Sequence, residues 1–226
     1  MIDWDQIDTV LLDMDGTLLD LNYDNTLWNH LLPAKYGERL RISESAAREA
    51  LFSHMQEIRH RLEFYCLDYW ASYTKLDVIA LHRELSHLIQ YRPGALDFLT
   101  WLGKRGTTRL LVTNAHRDSL SVKNAHSNLT DRVDSTISCH DYGAPKESPR
   151  FWQRLAEEHA FTPQRTLFID DNHAVLEAAA KFGIERLLTI YQPDSARPHR
   201  TDLKFPAFND FGELLPDERS GGCSSG

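Results

Sequence analysis

The stretch Val10-Leu11-Leu12-Asp13-Met14-Asp15-Gly16-Thr17-Leu18-Leu19-Asp20 decides the reading of this chain. Its apolar approach, Val10 to Leu12, has the composition of a buried strand in a parallel sheet, and such a strand delivers the next residues to the carboxyl edge, where open α/β sheets hold their ligands. Two acids stand at that edge. Side chains alternate along an extended backbone, so Asp13 and Asp15 start on one side, and Gly16-Thr17 permits a sharp exit that leaves both carboxylates in an open site. Taken alone, the same stretch also reads as a surface turn in which Asp and Gly merely reverse the chain.

The alternation of strand and helix stops after Asp20 and resumes at Tyr91-Arg92-Pro93-Gly94. Between them the sequence reads as nearly all helix. Ala47, Leu51, Met55, Ile58 and Leu62 fall at helical spacing behind Ser43, and Val78, Leu81, Leu85 and Leu88 do so behind a candidate N-cap, Asp77. Amphipathic helices inserted between the first strand and the rest of an α/β unit pack on each other over the site, so residues 21–91 are expected to form a helical cap. The core is then 1–20 plus 92–216. Arg109 to Thr113, Asp134 to Ser138, Thr166 to Ile169 and Arg186 to Ile190 read as its further strands, the last closing the sheet. Helices fall over Ala95 to Leu102, after the N-cap pair Ser148-Pro149, and over Val175 to Phe182 with Gly183 at its end. This pattern calls for a doubly wound parallel sheet with right-handed crossovers. Residues 217–226, rich in Ser and Gly, have nothing to bury and are expected to be disordered.

Four places coincide at the carboxyl ends of these strands: Asp13/Asp15, Thr113-Asn114, Lys146 and Asp170-Asp171. A phosphate monoester dianion repels a carboxylate nucleophile, so a site of this kind needs cationic compensation, which Lys146 and a divalent ion among the acids supply. Magnesium takes oxygen ligands and keeps waters, which suits carboxylates from two strand ends and a main-chain carbonyl, drawn from Asp13, Asp15, Asp170 and Asp171. The Thr113 hydroxyl and the amides of Asn114 and Ala115 offer neutral donors to phosphoryl oxygens. Adjacent acids directly after an apolar run repel each other unless a cation or helix N-terminus stabilises them, which marks Asp170-Asp171.

Composition excludes other classes. Lys and Arg number 25 against 33 Asp and Glu, a net charge of −8, which argues against binding along a nucleic-acid backbone. Cys66, Cys139 and Cys223 lack any C-x-x-C spacing, so neither a disulfide framework nor a zinc site is expected, and a reducing cytoplasm fits. No apolar run approaches membrane-spanning length, and the acidic Met1-Ile2-Asp3-Trp4-Asp5 is unlike a signal peptide. The eleven histidines form no close pair, and His116 reads as a solvated loop residue. Oligomeric state is left open.

The four motifs, D-M-D-G-T, L-V-T-N, P-K and I-D-D in that order, resemble the haloacid dehalogenase-like (HAD) phosphohydrolases, with their Rossmann-like core. The resemblance implies that Asp13 is the nucleophile and forms an aspartyl-phosphate, and that Asp15 protonates the leaving alkoxide and then activates water. It implies that Thr113 and Asn114 bind phosphate, that Lys146 holds Asp13 and the phosphoryl group, and that Mg2+ is the cofactor. Asp171 is favoured as a direct metal ligand with Asp170 as its partner. The family's dehalogenases lack an acid at the position of Asp15, so a phosphotransfer enzyme is expected. Leu21 to Asn25 and Phe64 to Trp70 resemble the bacterial GMP/IMP nucleotidase branch, which implies a purine nucleoside monophosphate as substrate. Tyr65 and Tyr69, sharing a face if their run is helical, then compete between core packing and gripping a base, with Arg59 or Arg61 adding cation–π contact. Three alternatives remain beside this reading: a sugar-phosphate phosphatase, a phosphosugar mutase, and a phosphate-binding regulatory module.

Overall fold

The computed structural model describes residues 2–216, so the tail expected to be disordered over 217–226 lies outside the described residues. The chain enters strand β1 (Thr9–Leu12) and then leaves the sheet for helices α1 (Asn22–Thr26), α2 (Leu32–Leu40), α3 (Glu44–Glu57), α4 (Leu67–Thr74) and α5 (Val78–Glu84). It returns through α6 (Ala95–Arg105), β2 (Thr108–Thr113), α7 (Arg117–Ser127), β3 (Ser135–Ser138), α8 (Cys139–Tyr142), α9 (Pro149–Glu158), β4 (Thr166–Ile169), α10 (His173–Phe182), β5 (Arg186–Ile190) and β6 (Ala207–Phe208).

The strands form one parallel sheet in the order β3-β2-β1-β4-β5-β6. β1 lies between β2 and β4, where the winding reverses, which is the point at which a doubly wound sheet opens a crevice beyond its carboxyl ends. Contrary to the sequence reading, β5 does not close the sheet, because the two-residue β6 pairs beyond it. So short a strand, next to Pro206, carries no alternation to read.

Successive residues of β1 point to opposite faces. Val10 and Leu12 pack with Phe98, Leu102 and Phe211 on one side, and Leu11 packs with Phe151, Trp152 and Phe168 on the other. A third apolar cluster, built on Leu27, Leu51, Leu67 and Trp70, lies within the insertion. The chain leaves and re-enters through adjacent backbone: the Asp20 amide donates to the Gln90 carbonyl at 2.9 Å and the Arg92 amide to Leu18 at 2.9 Å.

Residues 22–40 are interrupted by a π-turn over Leu27–Leu31, ahead of Pro33. Proline has no amide to give the Asn29 carbonyl, and that carbonyl instead accepts from Arg48 Nε at 3.0 Å. Asp77 and Ser148 cap their helices as the sequence suggests, and Ser43 caps its own too, each accepting from an amide two or three residues on. The helix behind Ser43 ends at Glu57, short of Leu62, and the one behind Asp77 ends at Glu84, with a 3-10 turn at Ser86–Leu88.

Candidate active site

Register places the first acid. Leu12 pairs with Leu111 on one side and Ile169 on the other, so the next residues, Asp13, Val112 and Asp170, come level at the sheet edge. Lys146 Nζ reaches all three, donating to Asp13 Oδ1 at 2.5 Å, Asp170 Oδ2 at 2.7 Å and the Val112 carbonyl at 3.0 Å. An ammonium has three donors, and here each has an acceptor, which is the condition under which a lysine can be 2% exposed. Burial works against its charge, but the two carboxylates more than offset this and hold Lys146 above the ordinary lysine range.

A second lysine serves the second acid. Lys123 Nζ, 1% exposed on α7, donates to Asp15 Oδ1 at 2.6 Å and to the two oxygens of Asp24 at 2.8 and 2.9 Å. Sequence reasoning missed both Lys123 and Asp24. The available signal was Lys123 falling on the apolar stripe of its helix, three residues after Leu120 and four after Ser119, where an unpaired cation would not be tolerated.

Acids outnumber these cations. Asp13, Asp15, Asp24, Asp170 and Asp171 face two ammonium groups, and the imbalance is visible in their proton affinities. Burial pushes Asp24 up to about 7, with repulsion from Asp15 adding to it, and burial with the Asp13 charge pushes Asp171 up to about 7. Asp13 is raised by burial against the pull of Lys146, and Asp170 is raised well above the carboxylate range for the same reason. Oxygens of Asp13, Asp170 and Asp171 lie within 4.8 Å of one another. A dense, buried, all-oxygen and anionic set is one that a hard divalent cation fits. Asp170 has both oxygens engaged, one by Lys146 and the other by the Asn172 amide at 2.8 Å, whereas the Asp171 carboxylate accepts no hydrogen bond from the described residues. The Asp15 carboxylate, held by Lys123, is not among the three clustered acids.

Gly16 is the hinge of this corner. Its φ of +84° suits glycine, and a Cβ there would stand 2.8 Å from the Asp171 carboxyl. Thr113 Oγ1 accepts from the Ala115 amide at 3.0 Å, which occupies that amide and leaves the hydroxyl proton free to donate. The Asn114 side chain is spent on structure: Oδ1 accepts from the Lys146 amide at 2.8 Å and Nδ2 donates to Glu147 at 3.0 Å. Any contact of Asn114 with phosphate therefore falls to its main chain.

Above the acids is a cavity of about 370 Å³, of the size of a small-ligand site. Asp13, Asp15, Thr113, Lys123, Lys146 and Asp171 line its floor, and Trp28, Phe64, Tyr65, Trp70 and His82 of the insertion line its walls. Of the aromatic and arginine candidates only Tyr65 reaches it, and its hydroxyl is committed to Glu147 at 2.6 Å. Tyr69 is turned away, bonded to His54 Nε2 at 2.6 Å and packed in the insertion's own core. Cys66, with extended φ and ψ of −90° and 113°, breaks the run into a 3-10 turn and α4, so the two tyrosines share no helical face. Arg59 is exposed outside the cavity, and Arg61, also outside it, pairs with Glu63 on the surface. His82, which sequence reasoning passed over, has Nδ1 2.7 Å from the Tyr23 hydroxyl and a buried Nε2 with no partner among the described residues.

The sequence matches the family model described as haloacid dehalogenase-like hydrolase over residues 7–183. It is 40% identical over 215 residues to the GMP/IMP nucleotidase YrfG of Escherichia coli, covering 95% of this chain and 97% of that protein. Among solved structures, a HAD phosphatase from Thermococcus onnurineus is similar in fold, with a TM-score of 0.76, 22% identity, and coverage of 92% and 96% of the two chains. The HAD-hydrolase YfnB from Bacillus subtilis, bound to magnesium, gives a TM-score of 0.62 at 20% identity over 92% and 96%. No helix among the described residues is long and apolar enough to cross a membrane. The motif order, the sheet that gathers the motifs at one edge and the matched length together assign this chain to the haloacid dehalogenase-like hydrolase family.

Proposed function

We propose that this protein is a magnesium-dependent phosphatase that cleaves phosphate monoesters through an aspartyl-phosphate on Asp13, and that its substrates are purine nucleoside 5′-monophosphates, IMP and GMP foremost. The observation that carries the reaction is Asp13 held by Lys146 at the floor of the cavity, with the open carboxylate of Asp171 beside it. Asp13, Asp171 and the main-chain carbonyl of Asp15 would hold Mg2+, with Asp170 as the partner that orients Lys146. When bound, the ion offsets the negative charge shared by the phosphate and the acids.

The chain's own groups divide the work. Lys146 fixes the Asp13 carboxylate so that one oxygen faces phosphorus, and the free proton of Thr113 Oγ1 meets a phosphoryl oxygen. Asp13 attacks phosphorus and the ester oxygen leaves, taking a proton from Asp15. Asp15 then accepts a proton from the water that cleaves the acyl phosphate, so that two moderate barriers replace one high one. Lys123 holds Asp15 toward the cavity throughout. The helical insertion, residues 21–91, acts as the cap domain that excludes bulk water and selects the leaving group.

The substrate class rests on the 40% identity over nearly the whole chain to a GMP/IMP nucleotidase and on the aromatic wall of Trp28, Phe64 and Tyr65 above the floor. Flat faces of this kind suit a purine, with stacking worth roughly 1–3 kcal/mol per base. Initial rates on nucleoside monophosphates and small sugar phosphates, compared as kcat/KM with Mg2+ present, test the reading. IMP and GMP are expected to lead, with free phosphate as product. A sugar phosphate in first place overturns the substrate assignment, and an isomerised sugar phosphate in place of free phosphate would make the enzyme a mutase.

A further inference from the structure

Cys66, His116 and His140 come from three separate segments, yet their sulfur and ring nitrogens lie within 4.8 Å of one another. Nothing in their sequence spacing announces this. Cys66 joins the 3-10 turn at Leu62–Tyr65 to α4 of the insertion, His116 caps α7 two residues beyond Asn114, and His140 lies on α8. The imidazoles of His116 and His140 meet edge to face with centroids 4.8 Å apart. His116, expected from the sequence to be a solvated loop residue, has a side chain only 15% exposed.

We propose that these three side chains form a binding site for a thiophilic divalent cation of the Zn2+ kind, separate from the carboxylate site, which clips the insertion to the core beside the phosphate loop. One thiolate and two imidazoles are a donor set suited to zinc and poorly suited to magnesium. Donors sharing one zinc ion stand about 3.5 Å apart, so a shift of about an ångström closes this set. His140 Nε2 is buried with no hydrogen-bond partner among the described residues, a state that costs free energy, and the Tyr65 carbonyl lies beside the same ring. His116 Nδ1 accepts from the Asp118 amide at 3.3 Å, which fixes the ring at the start of α7, and ligation through Nε2 would move the ring proton to Nδ1, where Asp118 Oδ2 stands 3.5 Å away to receive it. Asp68 Oδ2, 3.8 Å from His116 Nε2, offers a fourth donor, with water as the alternative. Cys66 and His140 are partly exposed, which gives an ion a way in, and binding releases the Cys66 thiol proton to solvent.

The test uses the full chain, stripped of metal and then saturated with Mg2+, to which Co2+ is added as a spectroscopic stand-in for zinc. One equivalent is expected to produce a thiolate-to-cobalt charge-transfer band and tetrahedral d–d bands, displaced by Zn2+. Cys66→Ser is expected to abolish the charge-transfer band and His140→Gln to weaken Co2+ binding at least tenfold, while Cys223→Ser leaves both unchanged. Zn2+ is expected to slow amide exchange over residues 62–74 in the native chain and not in Cys66→Ser. Circular dichroism checks that each variant is folded, and Cys66→Ala replaces the serine variant if that one is not. Absence of the band, its survival in a folded Cys66 variant, its loss in Cys223→Ser, or unchanged exchange over 62–74 would overturn the proposal. These readouts do not depend on turnover, so they stand apart from the phosphatase assignment.

Discussion

Lys123 shows how a single side chain can hold a site together without matching any motif. It is buried, and the acids it serves, Asp15 and Asp24, come from the strand-end loop and from the first helix of the insertion. Lys123→Met leaves both acids without their cation, and removing one partner of a buried pair costs about 3–5 kcal/mol. Urea unfolding is expected to register a loss of that order, and adding Asp24→Asn is expected to recover part of it; a double variant less stable than the single one would contradict the pairing. Tyr69 is the opposite case. Its hydroxyl bonds to His54 and its ring lies in the insertion core, so Tyr69→Phe is expected to lose about 0.5–1.5 kcal/mol of stability while the ranking of substrates by kcat/KM stays as it was.

At the scale of elements, the turn after β1 governs the corner where Asp171 stands, the proposed Mg2+ site. Gly16 has a positive φ and no room for a Cβ beside Asp171, so Gly16→Ala is expected to displace that carboxylate. The expected outcome is a higher Mg2+ concentration for half-maximal rate in a chain that remains folded; an unchanged Mg2+ response would show that Asp171 is not a ligand. This turn was legible from the sequence, because an apolar strand, two acids and a glycine state their geometry locally. So were β4, β5 and the Ser148 cap, whose signals lie within a few neighbouring residues. The cavity wall was not. Tyr65 and Tyr69 are equivalent only on a continuous helix, and one extended residue, Cys66, separates their fates. Trp28 stands on a π-turn upstream of Pro33, and Cys66, His116 and His140 meet only through tertiary folding. Contacts between distant segments leave no periodicity to read.

For the whole molecule, the excess of buried carboxylates links stability to pH and to metal. Asp24 and Asp171 rise from 3.8 to about 7 on folding, so between these values the folded chain holds more protons than the unfolded one and loses stability as pH rises. Asp13 and Asp170 are shifted in the same direction. Three histidines act oppositely: burial lowers His82 from 6.5 to about 3 and lowers His140 and His173 as well, so below about pH 6.5 rising pH adds stability through them, but they are three imidazoles against four acids, and Asp24 and Asp171 go on titrating to about 7. Metal-free protein is therefore expected to melt at a higher temperature near about pH 5 than near about pH 8, with Mg2+ restoring the midpoint at the higher pH. A midpoint that climbs from pH 5 to 8 without metal would contradict this balance of charges.

Covalent chemistry at Asp13 is the claim on which the account rests, because the position of Lys146, the acid cluster and the cavity all converge on that carboxylate. The direct measurement is release of inorganic phosphate from GMP by the native chain and by Asp13→Asn, each with Mg2+ and after chelation. The native chain is expected to release phosphate only with Mg2+, and folded Asp13→Asn to be slower by at least about a thousandfold. Near-native turnover by Asp13→Asn, or release that persists in full after chelation, would contradict the account.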